Sequence, residues 1–183
     1  MSDLLQLEKQ HLWHPFTPMQ AWCAPEHEPL MLVSGQGCRL TDQHGREYLD
    51  GNSSIWTNIH GHNHPRLNAA LREQLERVAH TSFLGFTHEP AIRLAEALSG
   101  LFPEGGLPRV FFSDDGSTAI ECAMRMALQY WKQNGHPERD TILCFDRAYH
   151  GDTLGAASVG GIPVFKGSGN EFGYRTLRLP GLE

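Results

Sequence analysis

The run Val110-Phe111-Phe112-Ser113-Asp114-Asp115-Gly116-Ser117-Thr118-Ala119-Ile120-Glu121 constrains this chain most. A short apolar segment enters a small polar loop, and the loop opens a long amphipathic stretch. A strand followed by a helix in this way aims unpaired backbone N–H groups and the positive end of a helix dipole at one point, where a phosphate can be held. Gly116 lets backbone approach a ligand with no β-carbon in the way. Ser117 and Thr118 offer N–H and hydroxyl donors. The same residues also read as an ordinary helix start capped by Asp114 or Asp115. The run has neither the Gly-x-x-x-x-Gly-Lys nor the Gly-x-Gly-x-x-Gly spacing of nucleotide-binding loops. A second run, Asp146-Arg147-Ala148-Tyr149-His150-Gly151-Asp152-Thr153, follows another apolar segment. Its Tyr149 can stack on a flat heteroaromatic ring, and equally suits a core or interface position. Together the two runs point to a phosphorylated, planar cofactor.

The pattern around them predicts an α/β chain. Gly37–Thr41 and Arg46–Asp50 flank Asp42-Gln43-His44-Gly45 as a β-hairpin. A helix starts at Pro65 with Leu67, Leu71, Leu75 and Val78 on one face, and another near Pro90 turns Ile92, Ala95, Leu98 and Leu101 inward. Arg109–Ser113 reads as a strand. The longest helix runs from Ser117 to about Asn134, with Ile120, Met124, Ala127, Leu128 and Trp131 on one stripe and Gly135 as its stop. Thr141–Phe145 reads as a second buried strand, and one short helix and one weak strand follow His150. Alternating strands and helices predict a partial, mostly parallel sheet covered by helices. Residues 1–30 show no period and read as an arm, and Gly167-Ser168-Gly169-Asn170 reads as a turn. Two or three parallel strands bury little on either face, so the chain is expected to belong to a larger fold or to need a partner.

Composition removes several function classes. The net charge of −6 argues against a nucleic-acid binder. No run is apolar over the length of a membrane span, and the first residues lack a signal-peptide pattern. Cys23, Cys38, Cys122 and Cys144 show no Cys-x-x-Cys spacing, which favours a reduced, cytoplasmic setting. His60, His62 and His64 alternate, but no carboxylate or cysteine completes a ligand set, so no metal site is read.

At these motifs the chain resembles the class III, fold type I, pyridoxal-phosphate aminotransferases. The matching stretches are Leu12-Trp13-His14-Pro15-Phe16-Thr17-Pro18-Met19, Asp50-Gly51-Asn52-Ser53-Ser54-Ile55-Trp56-Thr57-Asn58-Ile59-His60-Gly61-His62-Asn63-His64-Pro65, Ser113 to Glu121, Met126 to Trp131 and Tyr149 to Thr153. The resemblance implies that residues 1–64 form the arm and hairpin segment of a small domain, and that 65–183 form the first part of the cofactor-binding large domain. It implies pyridoxal 5'-phosphate as cofactor, held by Gly116, Ser117 and Thr118, with Tyr149 against the pyridine ring and bordering the substrate. Phe16, Ile55 and Trp56 are implied to line the substrate pocket.

The Trp-His-Pro-Phe-Thr and Ser-Ser-x-Trp runs point within the family to transamination of 8-amino-7-oxononanoate to 7,8-diaminononanoate in biotin synthesis. Many members carry Tyr where this chain has Phe16, and a second Trp where it has Ile55. The amino donor therefore stays open between S-adenosylmethionine and lysine. The family's Schiff-base lysine lies beyond the position of Glu183, and Lys166 is not in a matching context, so the chain is expected to be truncated and inactive alone. A complete enzyme is expected to be a homodimer acting on small molecules. Two alternatives stand beside this reading: another class III ω-aminotransferase, and a non-catalytic fragment or interaction module.

Overall fold

The computed structural model describes residues 3–103, 105–166 and 173–181. Contacts group the chain into two compact units, Met1–Thr87 and His88–Glu183. This grouping differs in kind from the division into small-domain and large-domain segments read from the sequence.

The first unit begins with helices α1 (Asp3–His11) and α2 (Met19–Trp22). An irregular arm was the expectation here, but nine residues are too few to display a helical period. Helix α1 is held from outside itself. Leu5 is buried, and the Lys9 ammonium donates to the carbonyls of Ala24 and His27 at 2.6 and 2.5 Å. Strands β1 (Leu32–Gln36), β2 (Arg39–Asp42) and β3 (Glu47–Leu49) form an antiparallel sheet in that order. The hairpin read from the sequence is the β2–β3 pair, with Leu40 opposite Tyr48.

A buried carboxylate sets the tip of that hairpin. Asp42 accepts from the backbone N–H groups of His44 and Arg46, both at 2.9 Å, from Arg46 Nε at 2.7 Å and from the Tyr48 hydroxyl at 2.9 Å. Burial raises its pKa, but the bonds from Arg46, Tyr48 and His44 outweigh that and hold it well below the ordinary aspartate range.

A one-turn element, α3 (Ser53–Trp56), follows. Its residues have φ values of +54°, +50°, +59° and +66°, so the turn is left-handed. Trp56 N–H donates to the Asn52 carbonyl at 2.8 Å, and Thr57 N–H to the Ser53 carbonyl at 3.0 Å. Such a conformation costs about 1–2 kcal/mol per non-glycine residue, and for the β-branched Ile55 it is an outlier. Helix α4 (Pro65–Arg77) then starts with Pro65 in its first turn.

The second unit holds α5 (Glu89–Ser99), α6 (Gly116–Gln133), β4 (Thr141–Phe145), α7 (Leu154–Val159), α8 (Pro163–Lys166) and β5 (Arg175–Leu179). β4 and β5 pair in parallel from Thr141–Arg175 to Phe145–Leu179. Met124 on α6 meets Cys144 on β4 and Val159 on α7, with Ile120, Ile142 and Tyr174 packed around them. Gly135 ends the long helix at φ +80°, as expected.

Two charged side chains fix the six-residue α7. The Glu121 carboxylate of α6 sits at its start, accepting from Thr153 Oγ1 at 2.6 Å and from the N–H groups of Gly155 and Ala156 at 2.8 and 3.3 Å. The Arg178 guanidinium of β5 donates to the carbonyls of Gly160 and Ser158 at its end, at 2.8 and 3.0 Å. Both charges match the helix dipole.

The sequence reading needs correction in three places. Arg109–Ser113 does not form a strand. A short apolar run becomes a strand only where a neighbouring strand pairs with it along a ladder, and the run alone does not specify one. Two short helices, α7 and α8, stand where one was expected. The faces of α4 and α5 are uncovered among the described residues: Leu71 and Leu75 are 64% and 63% exposed, and Ile92 is 55% exposed. The Gly167-Ser168-Gly169-Asn170 turn lies outside the described residues.

Candidate functional site

Asp115 caps helix α6. Its carboxylate accepts the Thr118 N–H at 2.8 Å, and its own N–H donates to Thr118 Oγ1 at 3.0 Å, a reciprocal capping box. The Thr118 hydroxyl donates to the Asp115 carbonyl at 3.0 Å, and the Ala119 N–H to the same carbonyl at 3.0 Å. The helix cap thus takes up only part of the loop. Thr118 directs both its donors to the cap. Gly116 and Ser117 are left at the first turn, where N–H groups lack intrahelical acceptors. Space in front of Gly116 is open: a β-carbon there would meet nothing within 4 Å.

The Tyr149–Asp152 loop packs against that helix start. The Asp152 N–H donates to Ser117 Oγ at 3.2 Å, which leaves the Ser117 hydroxyl proton free to donate elsewhere. Gly151, at φ +122°, approaches so closely that a β-carbon would fall 2.7 Å from that of Ser117. Only glycine combines this dihedral with this approach. The Tyr149 hydroxyl donates to Asp152 Oδ2 at 2.9 Å, and its ring lies 5.2 Å from that of Phe165. The hydrogen bond to Asp152, with some burial, raises the Tyr149 phenol above its ordinary pKa, so it keeps its proton through neutral pH.

The resulting donor set fits a phosphate ester: two helix-start N–H groups, a free hydroxyl proton, an open approach and a neighbouring aromatic ring. Behind it, Glu121 ties α6 to α7. The Thr153 hydroxyl bond chiefly lowers its pKa, against burial, with further help from Gly155, Ala156 and Tyr174. It remains ionised but faces α7. Nothing local in the sequence signals these roles of Glu121 and Asp152, because the partners Thr153 and Ser117 lie more than thirty residues away from them.

In the first unit, Phe16 (φ +51°), Ile55 and Trp56 present exposed side chains. Nothing in the sequence around Ile55 and Trp56 signals the left-handed turn. Asp50 anchors that turn. Its Oδ1 accepts the Ser54 N–H at 2.9 Å, and its Oδ2 accepts the Ser54 hydroxyl at 2.8 Å. His62 Nε2 is 2.7 Å from the same Oδ2. The Ser54 and His62 contacts hold the Asp50 carboxyl below its ordinary pKa.

The chain is similar to known proteins over most of its length. The family model described as Aminotransferase class-III matches residues 22–179. The chain is 45% identical over 179 residues to a Geobacter sulfurreducens protein named adenosylmethionine-8-amino-7-oxononanoate aminotransferase, covering 98% of this chain and 39% of that one. A protein of the same name from Aquifex aeolicus is 47% identical, with the same coverage of both chains. Among solved structures, the aminotransferase of that name from Methanocaldococcus jannaschii superposes with a TM-score of 0.90 at 35% identity, over 97% of this chain and 40% of that one. A transaminase from a marine Virgibacillus gives 0.88 at 36% identity, over 98% and 40%. The chain thus spans about two-fifths of the length of the relatives it matches.

Proposed function

We propose, from the premise that this chain belongs to the class-III aminotransferase family, that it supplies cofactor and substrate contacts to an enzyme that aminates 8-amino-7-oxononanoate to 7,8-diaminononanoate in biotin synthesis. The observation that carries this reading is the junction of Ser117 with Gly151 and Asp152. The names of the relatives support the choice of substrate.

When bound, pyridoxal 5'-phosphate supplies the electron sink through which an amino group is exchanged for a keto oxygen. The N–H groups of Gly116 and Ser117 and the Ser117 hydroxyl donate to its phosphate. Thr118 holds the loop in shape through Asp115. The Tyr149 ring would lie against the pyridine and border the substrate, and Asp152 engages the phenol proton. Phe16, Ile55 and Trp56 give the substrate pocket apolar surface that displaces water from the hydrocarbon part of the substrate. Phe16 and Ile55 stand where many members carry Tyr and Trp, so the amino donor is S-adenosylmethionine or lysine.

The enzyme is a cytoplasmic homodimer in this reading. Residues 1–183 alone bring no imine-forming lysine in a matching context, and purified alone they are expected to give no turnover with either donor. The test is an assay of the enzyme carrying this segment, with 8-amino-7-oxononanoate and each donor in turn. Formation of 7,8-diaminononanoate supports the proposal. Turnover of other ω-amino substrates with none of 8-amino-7-oxononanoate overturns it in favour of another class III activity.

A further inference from the structure

The left-handed turn Ser53–Trp56 gains little from packing among the described residues. Its side chains Ile55 and Trp56 are 69% and 78% exposed, while the groups that hold its backbone are sheltered: the side chains of Asp50 and His62 are 7% and 16% exposed. One carboxylate grips the turn at two points, the Ser54 N–H and hydroxyl, and a third bond ties it to His62. His62 is itself fixed in place. Its backbone exchanges two hydrogen bonds with Gly37, at 2.8 and 3.0 Å. Its Nδ1 lies 3.3 Å from Asn58 Nδ2. Gly35 packs so closely beneath it that a β-carbon there would fall 2.9 Å from His62 Cβ. An anchor tied to the β1–β2 sheet thus enforces an unfavourable backbone whose main product is two exposed apolar side chains. Strain of this kind persists where the surroundings over-determine it, and it concentrates at functional sites.

We propose that Asp50 and His62 are positioning residues: the Asp50–His62 pair holds the Ser53–Trp56 turn in its left-handed form, and that form sets where Ile55 and Trp56 meet the aliphatic chain of the amino acceptor. The proposal rests on the reading that Ile55 and Trp56 line the substrate pocket. Neither Asp50 nor His62 touches the reacting atoms in it.

The test uses the intact enzyme carrying this segment, with Asp50→Asn, His62→Gln and Trp56→Ala. Asp50→Asn and His62→Gln are expected to raise KM for the acceptor about tenfold, as loss of a hydrogen bond to a charged group allows, with a much smaller change in kcat. The absorbance of the bound cofactor is expected to stay unchanged. A crystal structure of Asp50→Asn is expected to show residues 53–56 leaving positive φ. Adding Ser53→Gly, which removes the steric penalty of the left-handed form at one position, is expected to lower KM again. A turn that keeps its φ values in Asp50→Asn, with KM unchanged, overturns the clamp. Trp56→Ala with unchanged KM instead overturns the pocket reading on which the clamp depends. Should Asp50→Asn fail to fold, Ser54→Ala removes one of the three bonds and is expected to raise KM less, in the same direction; no rise there counts against the proposal.

Discussion

Gly151 lies against Ser117 so tightly that a β-carbon on Gly151 would sit 2.0 Å from the Ser117 hydroxyl oxygen. This contact joins two loops that come from opposite ends of the α6–β4 segment. It makes the proposed phosphate seat and the Tyr149 platform one structural object, so a change on either side is felt on the other.

Gly151→Ala therefore combines backbone strain at φ +122° with overpacking against Ser117. The expected loss of stability is about 2 kcal/mol or more, read as a lowered thermal midpoint. Cofactor affinity of the intact enzyme is expected to fall with it, measured by fluorescence titration.

Ser117→Ala and Asp115→Ala separate binding from capping. Asp115→Ala removes the cap of α6 and is expected to cost about 1 kcal/mol of stability. Ser117→Ala leaves the cap in place and removes a proposed phosphate donor, so it is expected to weaken pyridoxal-phosphate binding more than it lowers the melting temperature. Equal cofactor affinity in Ser117→Ala and the parent enzyme would count against the seat.

Glu121→Gln keeps the size of the side chain but removes the charge that accepts from Thr153, Gly155 and Ala156. A destabilisation of about 1–3 kcal/mol is expected, measured by urea unfolding. Amide exchange at Gly155 and Ala156 is expected to accelerate, because α7 loses the partner at its start.

Acid is expected to weaken the fold. Asp42, Asp50 and Glu121 all have pKa values below their ordinary ones. The unfolded chain binds protons at these sites first, so their stabilising effect is complete above the ordinary carboxylate range, near about pH 4. It is lost as pH falls through the lower folded values. Urea midpoints measured from pH 7 down to pH 3 are expected to hold steady and then drop, with a shallower drop in Glu121→Gln. A midpoint that rises on acidification would refute this assignment.

The elements that were legible in the sequence are those whose causes are local. Pro65 at a helix start, Gly135 at a helix stop and the hairpin around Asp42-Gln43-His44-Gly45 each carry their signal within a few residues. The Thr141–Phe145 strand was legible as a short apolar run, but its expected burial holds only at Cys144, since Leu143 and Phe145 are exposed. Arg109–Ser113 carries the same signal, yet strand formation depends on a partner that the run itself does not name. The α1 helix was missed because its anchor, Lys9 reaching Ala24 and His27, is a tertiary contact. For the site, the glycine and hydroxyl residues of the α6 loop were readable as donors. Which of them the cap would occupy was not, since Asp114 and Asp115 are equally good caps on paper. Handedness at Ser53–Trp56 was invisible: nothing in Ser-Ser-Ile-Trp favours positive φ, and the cause lies in Asp50 and His62.

The two ends of α7 are gripped by Glu121 and Arg178, one from the preceding long helix and one from the last strand. A single short helical turn of this size has no stability of its own. It can consolidate only after α6 and β5 have come together, which places it late in the order of assembly. Substitutions within Ala156–Val159 should then speed unfolding and leave the folding rate almost untouched, and a folding rate that tracks their stability instead would reverse that order.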